Sequence, residues 1–423
     1  MCIRDRADSD YILFYTGTSP IELHPYAIGR MYQIAESNDG ALFYSDYQEI
    51  RQGKKIHHPT LEYQTGSIRN DFDFGQLLLF RNDSFQQVVA QMNTDYRFAA
   101  LYELRLSISR LGKIVHIPET LYTVQPTDLR LSGEKQFDYV DPANREVQLE
   151  MEAVCTAHLQ AIGAWLAPEF QRIDFGQENF AREASVIIPV RNRKRTIAEA
   201  VESALQQQTD FSFNVIVVDN HSTDGTGQIL TELSRRYPNL IHHIPASTEL
   251  GIGGCWTEAI LLPECGKFAI QLDSDDLYKD CHVLQRIVDT FYQENCAMVI
   301  GSYQMVDFKL EEIPPGLIAH REWTPDNGRN NALRINGLGA PRAFYTPVLR
   351  QIKFPNVSYG EDYATALAIS RKYPIARIYD PLYLCRRWEE NSDHDLDIQQ
   401  LNNYNFYKDK IRTLEIQARI SGK

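Results

Sequence analysis

The sequence predicts an α/β protein, a mostly parallel sheet flanked by helices, preceded by a partial copy of the same arrangement. Three observations carry that prediction. From about residue 183, short β-branched apolar runs alternate with helical patterns. The acidic and turn-rich segments all fall just after those runs, where parallel strands open onto ligands. The N-terminal part repeats, in order, the patterns that begin near residue 267.

Bulk properties narrow the function. A chain of 423 residues can hold two or three domains. Its 43% hydrophobic and 23% charged residues are those of an ordinary globular protein. A formal net charge of −13 argues against a nucleic-acid binder, since the average surface repels polyanions. Seven scattered cysteines without a C-x-x-C pair fit a reducing compartment and offer no zinc site. No apolar run approaches the roughly 18–20 residues needed to span a bilayer. Residues 1–6 lack the apolar stretch of a secretory signal and read as a cloning or sequencing scar. A cytoplasmic protein is expected, with peripheral attachment to the inner face of a membrane compatible.

The elements follow in chain order. Residues 7–130 are expected to form the truncated copy, in which Tyr11–Thr18, the helical stretch 25–37, Ala41–Ser45, Leu101–Ser109 and Ile117–Tyr122 follow the patterns of the second copy. Residues 131–182 read as a helical linker, residues 183–395 as the intact domain and 396–423 as a terminal helix. Within the intact domain Ala184–Pro189 is a buried strand. Thr196, with Glu199 three residues on, predicts a capping box before the next helix. Phe213–Val218 is a second strand, ending in Asp219–Gly225, where Ser222 or Thr223 is expected to cap the following helix. Leu240–Ile244 and Lys267–Leu272 are further strands. The two copies overlie with Tyr11 on Phe268, Ala41 on Met298, Leu101 on Asp362 and Ile117 on Ile378.

Chemistry is expected where Lys267–Leu272 ends. Asp273-Ser274-Asp275 puts two carboxylates at the mouth of a buried strand, suited to holding a hard divalent cation against a diphosphate. Glu361-Asp362 opens a helix whose dipole favours ionised carboxylates. The basic run Arg191–Arg195 is a candidate phosphate contact. In the first copy Thr16 and Thr18 stand for Asp273 and Asp275, and Ala100-Leu101 for Glu361-Asp362. That copy is expected to bind no donor and catalyse nothing.

Taken together, Val186-Ile-Ile-Pro-Val-Arg-Asn192, Val217-Val-Asp-Asn-His-Ser-Thr-Asp-Gly225, Gly251-Ile-Gly-Gly254, Gln271-Leu-Asp-Ser-Asp-Asp276 and Gly360-Glu-Asp362 resemble family 2 glycosyltransferases of the GT-A fold, over roughly 183–390. The resemblance implies an inverting transfer from a nucleoside-diphosphate sugar to a hydroxyl of a glycan, lipid or protein, with Mg²⁺ or Mn²⁺. It implies donor contacts at Pro189, Arg191, Asp219 and Asp273, a metal ligand at Asp275, and a catalytic base at Asp362 beside Glu361. Arg387 on the diphosphate, Trp388 at the acceptor in the same donor-binding loop, His394 on the metal and Arg342 near acceptor or phosphate extend the set. Arg191 departs from the family's aromatic residue, and Trp256-Thr257 from its Arg-Asn. A non-catalytic sugar-nucleotide-binding or scaffolding protein is the alternative. A sugar-1-phosphate nucleotidyltransferase ranks last, because Pro189-Val-Arg-Asn-Arg193 lacks the glycine-rich loop that chemistry needs.

Overall fold

The computed structural model describes residues 9–93, 95–125, 144–176, 178–388 and 396–422. In chain order the first elements are β1 (Tyr11–Tyr15), β2 (Ile21–Leu23), α1 (Ala27–Glu36), β3 (Gly40–Arg51), β4 (Lys54–His58), β5 (Leu77–Arg81), α2 (Asn82–Val89), α3 (Ala100–Leu111), β6 (Lys113–Val124) and α4 (Arg145–Ala161). Then come β7 (Ala184–Val190), α5 (Ile197–Leu205), β8 (Phe213–Asp219), α6 (Thr226–Arg236), β9 (Leu240–His243), α7 (Ile252–Leu261), β10 (Phe268–Gln271) and β11 (Leu277–Tyr278). The last are α8 (Val283–Glu294), β12 (Met298–Val306), β13 (Glu312–Ile318), α9 (Gly328–Asn331), β14 (Arg342–Tyr345), α10 (Thr346–Ile352), α11 (Glu361–Ser370), β15 (Ile375–Arg386) and α12 (Ile398–Ile420).

The described chain separates into two units. One takes the residues up to 165, the short stretch 333–336 and α12; the other takes 166–332 and 337–388. The terminal helix and α4 thus both belong to the first unit.

In the first unit the strand order is β1-β5-β3-β6-β2, with β4 added to β3. Side chains alternate across the sheet as a two-residue period demands. Leu42, Tyr44, Leu78 and Phe80 pack with Phe85, Leu104 and Ile108 on one face. Phe43, Leu77 and Leu79 pack with Ala27, Met31 and Ala35 on the other. Within α12, Asp409 and Arg412 are fully buried and form an ion pair of 2.8 Å, and Arg69 reaches Asp409 at 3.3 Å.

In the second unit the order is β11-β15-β12-β14-β10-β7-β8-β9, with β13 added to β12. The half β10-β7-β8-β9 is parallel throughout. β7, β8 and β10 are buried almost end to end, because helices cover both faces, while β9 at the edge is mostly half-buried. The other half is mixed: β14 runs antiparallel to both β10 and β12, while β12 and β15 are parallel.

The two sheets share a plan. The path β1-β5-β3-β6-β2 has the same order and the same sense at every pairing as β10-β14-β12-β15-β11. With Tyr11 set on Phe268, the ladder registers, continued one pair beyond Ile270–Ala343, equate Phe14 with Gln271 and Leu78 with Arg342. They equate Leu42, not Ala41, with Met298, a one-residue difference from the sequence overlay at this strand. The helices α3 and α11 begin at overlay-equivalent residues, Ala100 and Glu361.

Two expected helix caps do not form. Thr196 precedes α5, but its hydroxyl donates to the Ser274 carbonyl (2.9 Å), and Glu199 pairs with Arg386 instead of reaching back. The tertiary partners outcompete the local box. For α6 the cap is Gly225, not Ser222 or Thr223; Asp224 receives the Thr226 amide at 3.0 Å. Ser222 is drawn back to Asp219 and Thr223 to Asn192, so neither is free for the helix.

Candidate active site

The site lies at the ends of β7, β8 and β10 and the start of α11. Gln271, the last residue of β10, is 3% exposed and organises it. Its amide nitrogen donates to both Asp273 oxygens, each at 2.9 Å. Its amide oxygen accepts from the main-chain N–H and Nε of Arg342, at 3.1 and 2.9 Å. Arg342 in turn pairs through Nη1 with Asp362. A carboxylate on one side and a guanidinium on the other require one group that both donates and accepts, and a primary amide does. The Asp273 amide also donates to the Tyr383 hydroxyl at 2.9 Å. The structure therefore brings Asp273 and Asp362, 89 positions apart by their numbers, into one connected group.

Asp362 sits in the first turn of α11 behind Gly360, whose φ of 79° lies in the left-handed region that glycine tolerates. The helix is buried around most of its girth, with Tyr363, Thr365, Ala366, Leu367, Ile369 and Ser370 all inside. Glu361 is 9% exposed. Burial first, then the neighbouring Asp362 charge, push its carboxyl up to about 8, against the pull of Arg342.

Asp275 faces a different set of partners. Trp388 donates its indole N–H to Asp275 at 3.1 Å, and Arg193 lies 3.7 Å away. Arg193 and Arg195 stand over the Trp388 ring at 5.6 and 5.5 Å, and Arg195 also covers Phe308 at 4.2 Å. Arg386 donates from its main chain to Asp276 at 2.8 Å. Of the basic run, Arg193 and Arg195 thus enter the cluster, and Arg191 is exposed. Pro189 lies in β7 opposite Val218. Arg387 continues β15 by donating its amide to Val306 at 2.9 Å. His394 lies outside the described residues.

Asp219 is 2% exposed. Burial would raise its carboxyl, but His242 at 3.3 Å and the Ser222 amide at 2.9 Å outweigh burial and hold it below the usual range. One oxygen faces each partner, so the residue shapes the turn after β8.

Burial also raises the carboxyl of Asp273 and, well above the ordinary range, that of Asp276, with Asp275 adding repulsion to both. Carboxylates desolvated together in this way fit a divalent cation, which would relieve both effects. Among the described residues no group of three or more His, Cys, Asp or Glu side chains is disposed to hold a metal. The protein's own share would be the Asp273/Asp275 pair, with oxygens from a bound diphosphate and water completing the set.

Sequence reading passed over Gln271, Phe308 and Asn356. A glutamine preceding an acidic pair gives no signal by itself. Asn356 receives the Gly251 amide at 2.8 Å and donates to Glu249 at 3.1 Å, and the Gly253 amide donates to Val357 at 2.9 Å. The glycines of Gly251-Ile-Gly-Gly254 are therefore where α7 meets the loop that leads to Glu361.

Residues 185–352 match the family model described as glycosyl transferase family 2. The match stops short of Glu361 and Asp362. An uncharacterised glycosyltransferase of Nostoc sp. is 32% identical over 29% of this chain and 37% of its own length. A poly(ribitol-phosphate) beta-glucosyltransferase of Bacillus spizizenii is 24% identical over 53% of this chain and 35% of its own length. The chain thus spans about a third of the length of these curated relatives. Among solved structures, S. aureus TarS 1–349 in complex with UDP-GlcNAc has a TM-score of 0.43 at 23% identity, covering 56% of this chain and 72% of that one. Among the described residues no helix is long and apolar enough to cross a membrane.

Proposed function

We propose that this chain, whose residues 185–352 match the family model described as glycosyl transferase family 2, is an inverting enzyme that moves a sugar from a nucleoside-diphosphate donor to an acceptor hydroxyl. The observation that carries this is the Asp273–Gln271–Arg342–Asp362 chain, which joins the acidic end of β10 to the start of α11. Asp362 takes the proton of the acceptor hydroxyl as its oxygen attacks the anomeric carbon and the bond to the diphosphate breaks. Its side chain keeps 26% of its surface open, which admits an acceptor. Removing a proton in this way is typically worth about 10²–10⁴-fold.

Asp275, with Asp273 beside it, would hold Mg²⁺ or Mn²⁺ against the donor diphosphate. Such a cation stabilises the negative charge that develops on the leaving group. Arg193, Arg387 and Trp388 are assigned to the donor side, Pro189 and Arg191 to the base, and Asp219 to the turn that borders it. His394 is kept as a candidate further ligand. The B. spizizenii relative makes a polyol-phosphate polymer the first acceptor to test. The first unit, on its matching strand order, is read as a degenerate copy without chemistry.

One observation favours the non-catalytic alternative: the Asp275 carboxylate accepts from Trp388 and lies 3.7 Å from Arg193, so a cation there would meet the guanidinium charge. The two readings part in one experiment. UDP-glucose, UDP-N-acetylglucosamine and GDP-mannose are offered with Mn²⁺, and nucleoside diphosphate release is followed with and without acceptor. Metal-dependent release that falls at least about a hundredfold in Asp362→Asn, with nucleotide binding retained, supports the enzyme. Binding of a donor without any release supports the alternative.

A further inference from the structure

We propose that Arg342 is a positioning residue for the proton-accepting carboxylate, acting with Gln271 as a rigid link between the two acidic ends of the site. This rests on the reading of Asp362 as the base.

The main chain of Arg342 is fixed on both sides, since β14 is hydrogen-bonded to β10 and β12 and Arg342 pairs with Ile300. Its side chain is then pinned near the root, Nε and amide N–H converging on one Gln271 oxygen. Only the outer end of the guanidinium is left to face Asp362. Gln271 is itself locked, because its side-chain nitrogen serves both Asp273 oxygens and its main-chain carbonyl accepts from the Tyr278 hydroxyl at 2.8 Å. The order of rigidity runs from the buried strand outward to the partly open carboxylate. That is what holding a reacting group in place requires, and it exceeds what an incidental ion pair needs.

The chain carries its own control. In the first unit the register-equivalent residues are Phe14 for Gln271 and Leu78 for Arg342, with Thr16 for Asp273 and Leu101 for Asp362 in the sequence overlay. All four members of the link are gone together, and the strand pairing beneath them is intact. The sheet therefore does not need the link in order to form.

The test is steady-state kinetics with Mn²⁺ on whichever of UDP-glucose, UDP-N-acetylglucosamine and GDP-mannose the unaltered chain turns over fastest. Arg342→Ala is expected to lower kcat by about 10²-fold, the cost of a carboxylate misplaced by about an ångström, and to leave the donor KM within about threefold. Arg342→Lys should recover about tenfold of that loss, keeping the charge but not the fork that meets Gln271 and Asp362 together. Gln271→Leu should lower kcat by about tenfold at unchanged KM. An unchanged kcat in Arg342→Ala, or a loss confined to donor KM, overturns the inference. Should thermal melts find the alanine variant unfolded, Gln271→Leu decides by the same criterion. Full turnover by Asp362→Asn sinks the reading of the base itself, a separate result.

Discussion

Glu361 and Asp362 are adjacent in the chain, yet the fold asks different things of them. Asp362 has a guanidinium partner and an opening to solvent. Glu361 is buried, and one of its oxygens has no hydrogen-bond partner. Its folded pKa of about 8 lies above the ordinary 4.5, so the folded state holds a proton that the unfolded chain has released. The stability it contributes is fully present below about pH 4.5 and is lost as pH rises through about 8. Glu361→Gln copies the protonated form and removes this loss. Melting temperatures of the two proteins should coincide near pH 4.5, and the variant should be the more stable at pH 8.5, by at least about 1.4 kcal/mol, one pKa unit's worth. A difference that stays constant between those two pH values would refute the assignment. The acidic pair stood out in the sequence only in company with the other motifs, since a helix start alone accounts for its charge. The division of labour was not legible there, because it depends on β14, whose arginine reaches the pair only through tertiary structure.

At the scale of elements, α7 and α11 are held at a distance that Gly253 sets. A Cβ built there would lie 2.0 Å from the Pro355 carbonyl oxygen and 3.0 Å from the Glu361 Cβ. Gly253→Ala must push the 355–361 segment away. We expect about 1–3 kcal/mol of destabilisation, as for an overpacked core, with turnover falling alongside. Gly29 in α1 is the contrast, since a Cβ there meets nothing within 4 Å. Gly29→Ala should stabilise the first unit by about 0.5–1 kcal/mol, read from the melting temperature, with turnover unchanged. The sequence pattern located most strands of the parallel half, since β-branched runs such as Val186–Ile188 and Val215–Val218 leave little choice. It missed both caps, at α5 and α6. Capping groups there are recruited by residues from other segments, Ser274 for Thr196 and Asn192 for Ser222, and no local pattern records that competition. It also gave no sign of antiparallel β14, a strand of four residues.

At the scale of the whole molecule, the question is why one strand plan is used twice and the chemistry once. Strands of the first unit follow the same order as those of the second from β10 onward, including the pairing of β1 with β5, a strand the sequence overlay did not include. Among the described residues the first unit has no strands matching β7, β8 and β9, the parallel strands whose ends form a crevice for a nucleotide. It also carries apolar residues or threonine at each position of the acidic link. A donor would therefore find neither the crevice nor the charge there. Titration calorimetry of the full chain with UDP and with GDP, each with Mn²⁺, should give one nucleotide per chain for whichever binds, and Asp275→Ala should remove it. Thr16→Ala and Leu101→Ala should leave both the stoichiometry and the turnover as they were, since neither residue belongs to the site. A second nucleotide per chain that survives Asp275→Ala would mean that the first unit kept a site which its residues give no means to build.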